Sequence, residues 1–396
     1  MPSVGPHGVT CPVSSITIPA LTGLRAFAAA IVFFGHILTP HYDVVPGLLQ
    51  YGWAGVNIFF ALSGYLFQHL YSETLIRGTF SWWEYIKRRL IRIYPITSLV
   101  VVLSAISAWD RITMIDIGLH LTLLHGWHPK YRLSLNAPMW TLTLEESYYL
   151  MAPVMIYYLR KFSDDLRKRL APGPSGLLLV KTCLVALLVW ILSFALGRGL
   201  ASYHQDLVYQ VFGLWDWDVF SGTIFGRLSD FVAGMLAASL MSMHVHRLKG
   251  RGDLIVAIGV FLFFCSAGFI HTHGGATGVG EHKFGSIAIN GLGAAGAIII
   301  AGLHAGGWFS RLLSSRVAVV LGECSFALYL IQFMPVGPFP KISMALQGGL
   351  ESAGVHFLLA ALTSYLVMNL AALLLHRLYE RPLGLAMRRK WLKRGT

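Results

Sequence analysis

Leu21 to His36 reads LTGLRAFAAAIVFFGH. The stretch is apolar enough to enter a bilayer, yet it carries Arg25 near one end and His36 near the other. At about 100° per residue the eleven steps between them come to roughly 1100°, or three turns plus about 20°. Both side chains therefore share one helical stripe, about 16 Å apart along the axis. A charge and an imidazole are costly in a membrane helix and ordinarily face the protein interior or a wet cavity, which makes them candidate site residues. The other reading is that Arg25 snorkels to the inner interface while His36 is a hydrogen-bonded interface residue.

The rest of the chain has the same character. Of its 396 residues, 55% are hydrophobic and 12% charged; a soluble domain is closer to about 25% charged. Apolar runs of about 20 residues recur from end to end. They predict an all-α, polytopic membrane protein of about ten transmembrane helices. The expected spans are Ala20–Leu38, Gly52–Tyr71, Ile93–Ala108, Met139–Leu159, Leu177–Leu196, Thr223–Met243, Leu254–His271, Phe284–Leu303, Val317–Val336 and Gly354–His376. The expected organisation is a short tail (1–19), one integral-membrane domain (20–376) and a basic cytoplasmic tail (377–396). Met1–Ser15 lacks the basic start and cleavage site of a signal peptide, so the first span is expected to be retained. The four cysteines show no metal spacing and no disulfide framework.

Charge sets the topology. Ile112–Trp127 is apolar but broken by Asp116, His120 and His125. If it lies at the outer surface or re-enters, twenty-two Lys and Arg fall on inner loops and the C-terminal tail, and six fall outside. The positive-inside rule then places both termini in the cytoplasm. The same rule accounts for the net charge of +13, and no nucleic-acid partner is expected. Span one runs outward, with Arg25 in its inner half and His36 near the outer face.

Four constellations can carry chemistry. In KRRLIRIYP (Lys87–Pro95), Arg89 and Arg92 are three apart and share a face. Paired guanidiniums suit phosphates, although topology and anionic-lipid contact explain them as well. In WTLTLEESYYLMAP (Trp140–Pro153), Glu145 and Glu146 lie inside an apolar span. Being adjacent, they point to different faces, so one of them faces a shared cavity, with Arg25 and His36 as candidate partners. A histidine beside a carboxylate is a familiar general base. In GRLSDFVAGM (Gly226–Met235), Arg227 and Asp230 are spaced for a local ion pair. The outer-loop histidines His120, His125, His128, His271, His273 and His282 form no ligand motif, and no metal is expected. Intramembrane Arg, His and Glu also build proton-coupled pathways, so a transporter of a small solute or sugar derivative is the alternative; the lack of an inverted repeat counts against it.

Taken together, these segments resemble acyltransferase family 3, the integral-membrane O-acyltransferases. LTGLRAFAAAIVFFGH is similar to the family's opening helix, GWAGVNIFFALSGYLF to its second, RRLIRIYP to its basic inner-loop motif and WTLTLEESYYLMAP to its Trp-to-Pro motif. RLSDFVAGMLAA, VVLGECSFALYLIQF and HRLYERPLG are similar to later segments. The resemblance implies transfer of an acyl group, by default acetyl, from acyl-CoA to a hydroxyl of a carbohydrate, glycolipid or glycosylated small molecule. It implies no permanently bound cofactor. In a bacterium it implies the cytoplasmic membrane.

By position, His36 matches the essential histidine and Arg25 its arginine partner. Arg89 and Arg92, with neighbouring Arg88, match the donor arginines, and Glu145 matches the central glutamate. Arg227, Glu146 and Tyr149 are candidates for an acceptor or structural site. In LYLIQF many members have His where this chain has Gln332. The expected mechanism seats the donor phosphates on Arg89 and Arg92 and reaches along the Arg25–His36 stripe, with Glu145 orienting His36. The sequence fixes neither the acceptor nor the oligomeric state.

Overall fold

The computed structural model describes residues 18–41, 43–45, 50–170, 175–212, 222–273, 285–336 and 341–392. Most of the N-terminal tail with Cys11, the turn at 171–174, and His282 and Lys283 lie outside the described residues. Among the described residues the chain is all-helical, in the order α1 (Pro19–Ile37), α2 (Ala54–Ile76), α3 (Trp82–Ser107), α4 (Met114–Leu121), α5 (Trp140–Leu170), α6 (Ser175–Phe212), α7 (Leu228–Leu248), α8 (Gly252–His273), α9 (Gly285–Ala305), α10 (Trp308–Leu313), α11 (Arg316–Ile331), α12 (Ile342–Ser352) and α13 (Phe357–Leu375). A π-helical turn, His376–Glu380, leads into α14 (Arg381–Trp391). Among the described residues, seven helical stretches are long and apolar enough to cross a membrane: α1, α3, α6, α7, α8, α9 and the run from α13 through α14. The outward side of α6 carries exposed Leu184, Leu188, Ile191 and Leu192, side chains suited to lipid rather than water.

Two helices differ from their expected bounds. The third span was expected from Ile93, but α3 begins at Trp82. Ser81 caps it by accepting from the Glu84 N–H at 3.3 Å, and Ser81 with Glu84 forms the S-x-x-E start signal that an apolar window passes over. The fifth span was expected to end at Leu196, yet α6 continues to Phe212, because a helix does not stop where its hydropathy does. The broken stretch at 112–127 holds only the eight-residue α4. That helix is about 12 Å long, too short for a hydrocarbon core of about 30 Å.

α2 is the centre and packs against α1, α5, α7 and α9. It is buried on several sides, which is why its apolar residues do not form a single stripe. Gly64 of α2 lies against the Phe231 carbonyl of α7, and Gly234 of α7 lies against the Ala61 carbonyl of α2. Neither position has room for a Cβ, so the two backbones touch. On the other flank Gly322 of α11 lies against the Thr22 carbonyl of α1, and further out the Phe333 ring meets His36. α11 therefore runs beside α1 in the same direction.

Two prolines fix α3 and α5. Pro153 within α5 has no N–H, which frees the Tyr149 carbonyl four residues back. The Tyr85 hydroxyl of α3 donates to that carbonyl at 2.8 Å. Pro95 likewise frees the Ile91 carbonyl of α3. The first of these bonds ties α3 to α5 one turn from Arg89 and one turn from Glu145.

Candidate active site

One pocket between α1, α2, α3, α5 and α11 is lined by Arg25, Arg89, Arg92, Glu145 and Tyr149, with Ser63, Thr141 and Tyr329. The four charged groups arrive from three helices, Arg25 from α1, Arg89 and Arg92 from α3 and Glu145 from α5, so the pocket exists only when the bundle is closed. Glu145 accepts from the Ser63 hydroxyl at 3.1 Å and from the Tyr149 hydroxyl at 2.9 Å. The Arg25 guanidinium is within electrostatic reach of Glu145, Arg92 and Arg89. Three guanidiniums face one carboxylate, an excess of positive charge that a phosphorylated ligand would balance.

Arg89 and Arg92 differ sharply. The Arg89 guanidinium is boxed by aromatic rings, 4.2 Å from the Phe67 centroid and 5.1 Å from that of Tyr149, with Tyr71 and Tyr85 close by. It donates to the Tyr71 hydroxyl at 3.2 Å. Such cation–π contacts hold the arginine in place within the bundle. Arg92 is exposed and also lines the pocket, so it stands at the mouth. Phe67 and Tyr71 of α2, and Tyr85 and Arg89 of α3, are i,i+4 pairs. That spacing was the available signal for the box.

The structure separates His36 from this pocket. Its ring meets Phe333 edge-on with centroids 4.7 Å apart. Lys341 is within electrostatic reach of it, and the Lys341 ammonium lies 5.1 Å from the same Phe333 ring. Burial lowers the pKa of that ammonium. The expected pairing of Glu145 with His36 is corrected: Glu145 shares its pocket with Arg25, which lies about 16 Å along α1 from His36. Between the two levels stands Tyr329, one turn before Phe333 on α11. Thr141 donates to the Pro138 carbonyl at 2.9 Å and pairs with the Tyr329 hydroxyl at 3.2 Å. Both hydroxyl residues line the pocket, and Tyr329 stands four residues before the Phe333 that meets His36. Gln332, fully buried, donates to the Tyr329 carbonyl at 3.4 Å.

The remaining candidates lie elsewhere. Arg88 is exposed and pairs with Glu84 at 3.4 Å on the outside of α3. Glu146 turns toward Tyr94 and Tyr85, away from the pocket lining. Arg227 pairs with Asp230 at 3.5 Å. Asp230 also accepts from Asn57 at 2.9 Å, and Asn57 donates to the Ile289 carbonyl at 2.7 Å. This buried network ties α2, α7 and α9 together on the far side of α2. Sequence reasoning missed Ser63, Thr141 and Tyr329. Hydroxyl residues in apolar spans are common, and nothing local marks these three.

Two of the loop histidines pack into the segment that precedes α5. His120 and His125 are fully buried and stack with centroids 3.9 Å apart. His120 Nδ1 donates to the Asp116 carbonyl at 2.9 Å, and Asp116 accepts from the Ser134 hydroxyl at 2.6 Å. Nearby, Asn136 donates to the Leu330 carbonyl at 3.1 Å, which carries the segment into the bundle. Burial pushes His120 down. Burial first, then the adjacent His120, push His125 down to about 3. Below an unfolded value of about 6.5 the unfolded chain takes up protons that the fold refuses, so this stability is complete above about 6.5 and is lost as pH falls toward the folded value. We expect thermal unfolding in detergent to occur at lower temperature at pH 5 than at pH 7.5, and His125→Phe to narrow that difference. An equal drop in both proteins would rule the pair out as its source.

Comparison with known proteins matches residues 18–377 to the family described as Acyltransferase domain. The acyltransferase MdmB of Streptomyces mycarofaciens is 27% identical over an alignment of 401 residues, which covers 93% of this chain and 92% of that protein. A protein of Staphylococcus aureus (strain COL), provisionally named O-acetyltransferase SACOL0978, is 26% identical over 351 residues, covering 80% of this chain and 50% of that protein. No solved structure matches at a significant level.

Proposed function

The chain belongs to acyltransferase family 3, and on that premise we propose that it is a membrane O-acyltransferase that uses acyl-CoA, with acetyl as the default acyl group. The acceptor is a hydroxyl of a carbohydrate, glycolipid or glycosylated small molecule presented on the outer side. The observation that supports this reading best is the pocket itself, where Arg25, Arg89 and Arg92 face the single carboxylate of Glu145. A donor with several phosphates and a thin pantetheine arm suits a charged mouth leading to a narrow, partly apolar interior.

In this reading ten spans, with both termini cytoplasmic, frame one domain over 20–376. Beyond the seven stretches already named, α2, α5 and α11 lie where the other three spans are expected. The donor phosphates meet Arg92 first, and Arg25 and Arg89 supply charge deeper in. Glu145 is a positioning residue, holding Ser63, Tyr149 and the arginines in register. For the thioester to reach His36, the contact between Thr141 and Tyr329 parts and the arm passes along α11. His36 then takes the proton from the acceptor hydroxyl, whose oxygen attacks the thioester carbonyl. A C–O bond forms, the C–S bond breaks, and the proton passes from His36 to the departing thiolate.

The test is mass spectrometry of cell-envelope glycans and secreted metabolites from cells with and without the protein. The expected result is a species heavier by one acyl group only where the protein is present. Uptake of a solute without any modification would favour the transporter instead.

A further inference from the structure

We propose that α14 and the first turns of α3 form a second subsite, a basic rim that binds the 3′-phosphate of the donor's adenosine end. The proposal rests on the donor reading above and extends it to a part of the chain that reading leaves unused.

The rim is a built surface, anchored at two points. The Ile91 carbonyl has no helical partner because Pro95 lacks an N–H, and Gly384 of α14 packs there, with Ile91 O 3.9 Å from where a Cβ would stand. Seven residues on, the Lys87 ammonium donates to the Trp391 carbonyl at the end of α14 at 3.3 Å, a favourable place for a cation. α14 is therefore laid along the stripe of α3 that carries Lys87 and Ile91, and α14 and α3 pack together. On the neighbouring stripe Arg88 and Arg92 are four residues apart, one above the other. Arg92 enters the pocket. The order across the surface is thus α14, Arg88, Arg92, pocket.

Charge along this path is predominantly positive. Arg388 falls between Gly384 and Trp391 on the side of α14 turned to α3, and Arg388, Arg389 and Lys390 are exposed at its last turns. Of the carboxylates near this path, Glu84 is paired with Arg88 and Glu380 with His376 at 2.7 Å, while Glu146 lies toward Tyr85 and Tyr94 and Glu323 toward Cys324. Cations gathered beside an arginine-lined mouth fit a ligand with phosphates at two separated points, and acyl-CoA carries a diphosphate and a 3′-phosphate. Anionic lipid headgroups offer the same chemistry, so the experiment has to separate the two sources.

The full-length protein, in nanodiscs of neutral lipid, is titrated with acetyl-CoA and with acetyl-3′-dephospho-CoA. We expect the wild type to bind acetyl-CoA roughly ten- to a hundredfold more tightly, the worth of one or two charge-assisted hydrogen bonds. R388E/R389E should bind both donors at the weaker level, and R388K/R389K should keep most of the preference. Equal binding of the two donors by the wild type overturns the subsite and leaves the donor reading standing. No binding of acetyl-CoA by the wild type overturns both. A preference that survives R388E/R389E, with the variant losing stability only in anionic-lipid nanodiscs, assigns the rim to headgroups and overturns the proposal.

Discussion

His36→Ala is expected to lower acyl transfer by about 10²- to 10⁴-fold, the usual worth of a positioned general base, while acetyl-CoA still binds. The separation of the two effects follows from the geometry. His36 sits on Phe333, outside the pocket that gathers Arg25, Arg89, Arg92 and Glu145. Removing the imidazole takes nothing from the donor site, so the loss falls on the rate at saturating donor and leaves the donor KM in place. The measurement is transfer by purified protein beside direct titration with acetyl-CoA. Near-wild-type transfer would remove His36 as the base. A parallel loss of donor affinity would mean that His36 touches the donor in its resting site.

Arg92→Ala and Arg89→Ala part company, although the two residues share one motif. Arg92 is an exposed side chain at the mouth. Its loss weakens acetyl-CoA binding roughly ten- to a hundredfold and leaves the unfolding temperature unchanged. Arg89 is packed among Phe67, Tyr71, Tyr85 and Tyr149. Arg89→Ala opens a hole in that box and strands the Tyr71 hydroxyl, so both stability and binding fall, the former by about 2–4 kcal/mol. Arg89→Lys does not rescue, because a compact ammonium cannot reproduce a planar group spread over four rings. Thermal unfolding followed beside donor titration distinguishes the two variants. Equal stability loss in both would refute the assignment of distinct places.

Much of this molecule was legible in its residues. The recurring apolar runs announced a helical membrane protein, and Arg25, Arg89, Arg92 and Glu145, which their separate motifs singled out one by one, line one pocket together with Tyr149. Helical spacing gives depth along a single helix, however, and says nothing about which depth a neighbour presents. Glu145 was therefore expected beside His36 and stands instead with Ser63, Tyr149 and Arg25. The register depends on contacts no local pattern reveals, such as Gly322 against the Thr22 carbonyl and the Tyr85 hydroxyl on the carbonyl that Pro153 sets free. Arg88 shows the opposite limit. It is next to Arg89 in sequence, but one residue turns a helix by about 100°, enough to put it on the outside with Glu84.

The contact of Thr141 with Tyr329 has a consequence for the cell as a whole. A bundle that gathers three arginines and a carboxylate in one pocket has the makings of a pore, and an open one through a membrane would pass ions. In the proposed reading the hydroxyl pair stands between that pocket and His36 and would keep the path shut at rest. On that reading, two compartments would take part in one reaction while the membrane between them remains an insulator.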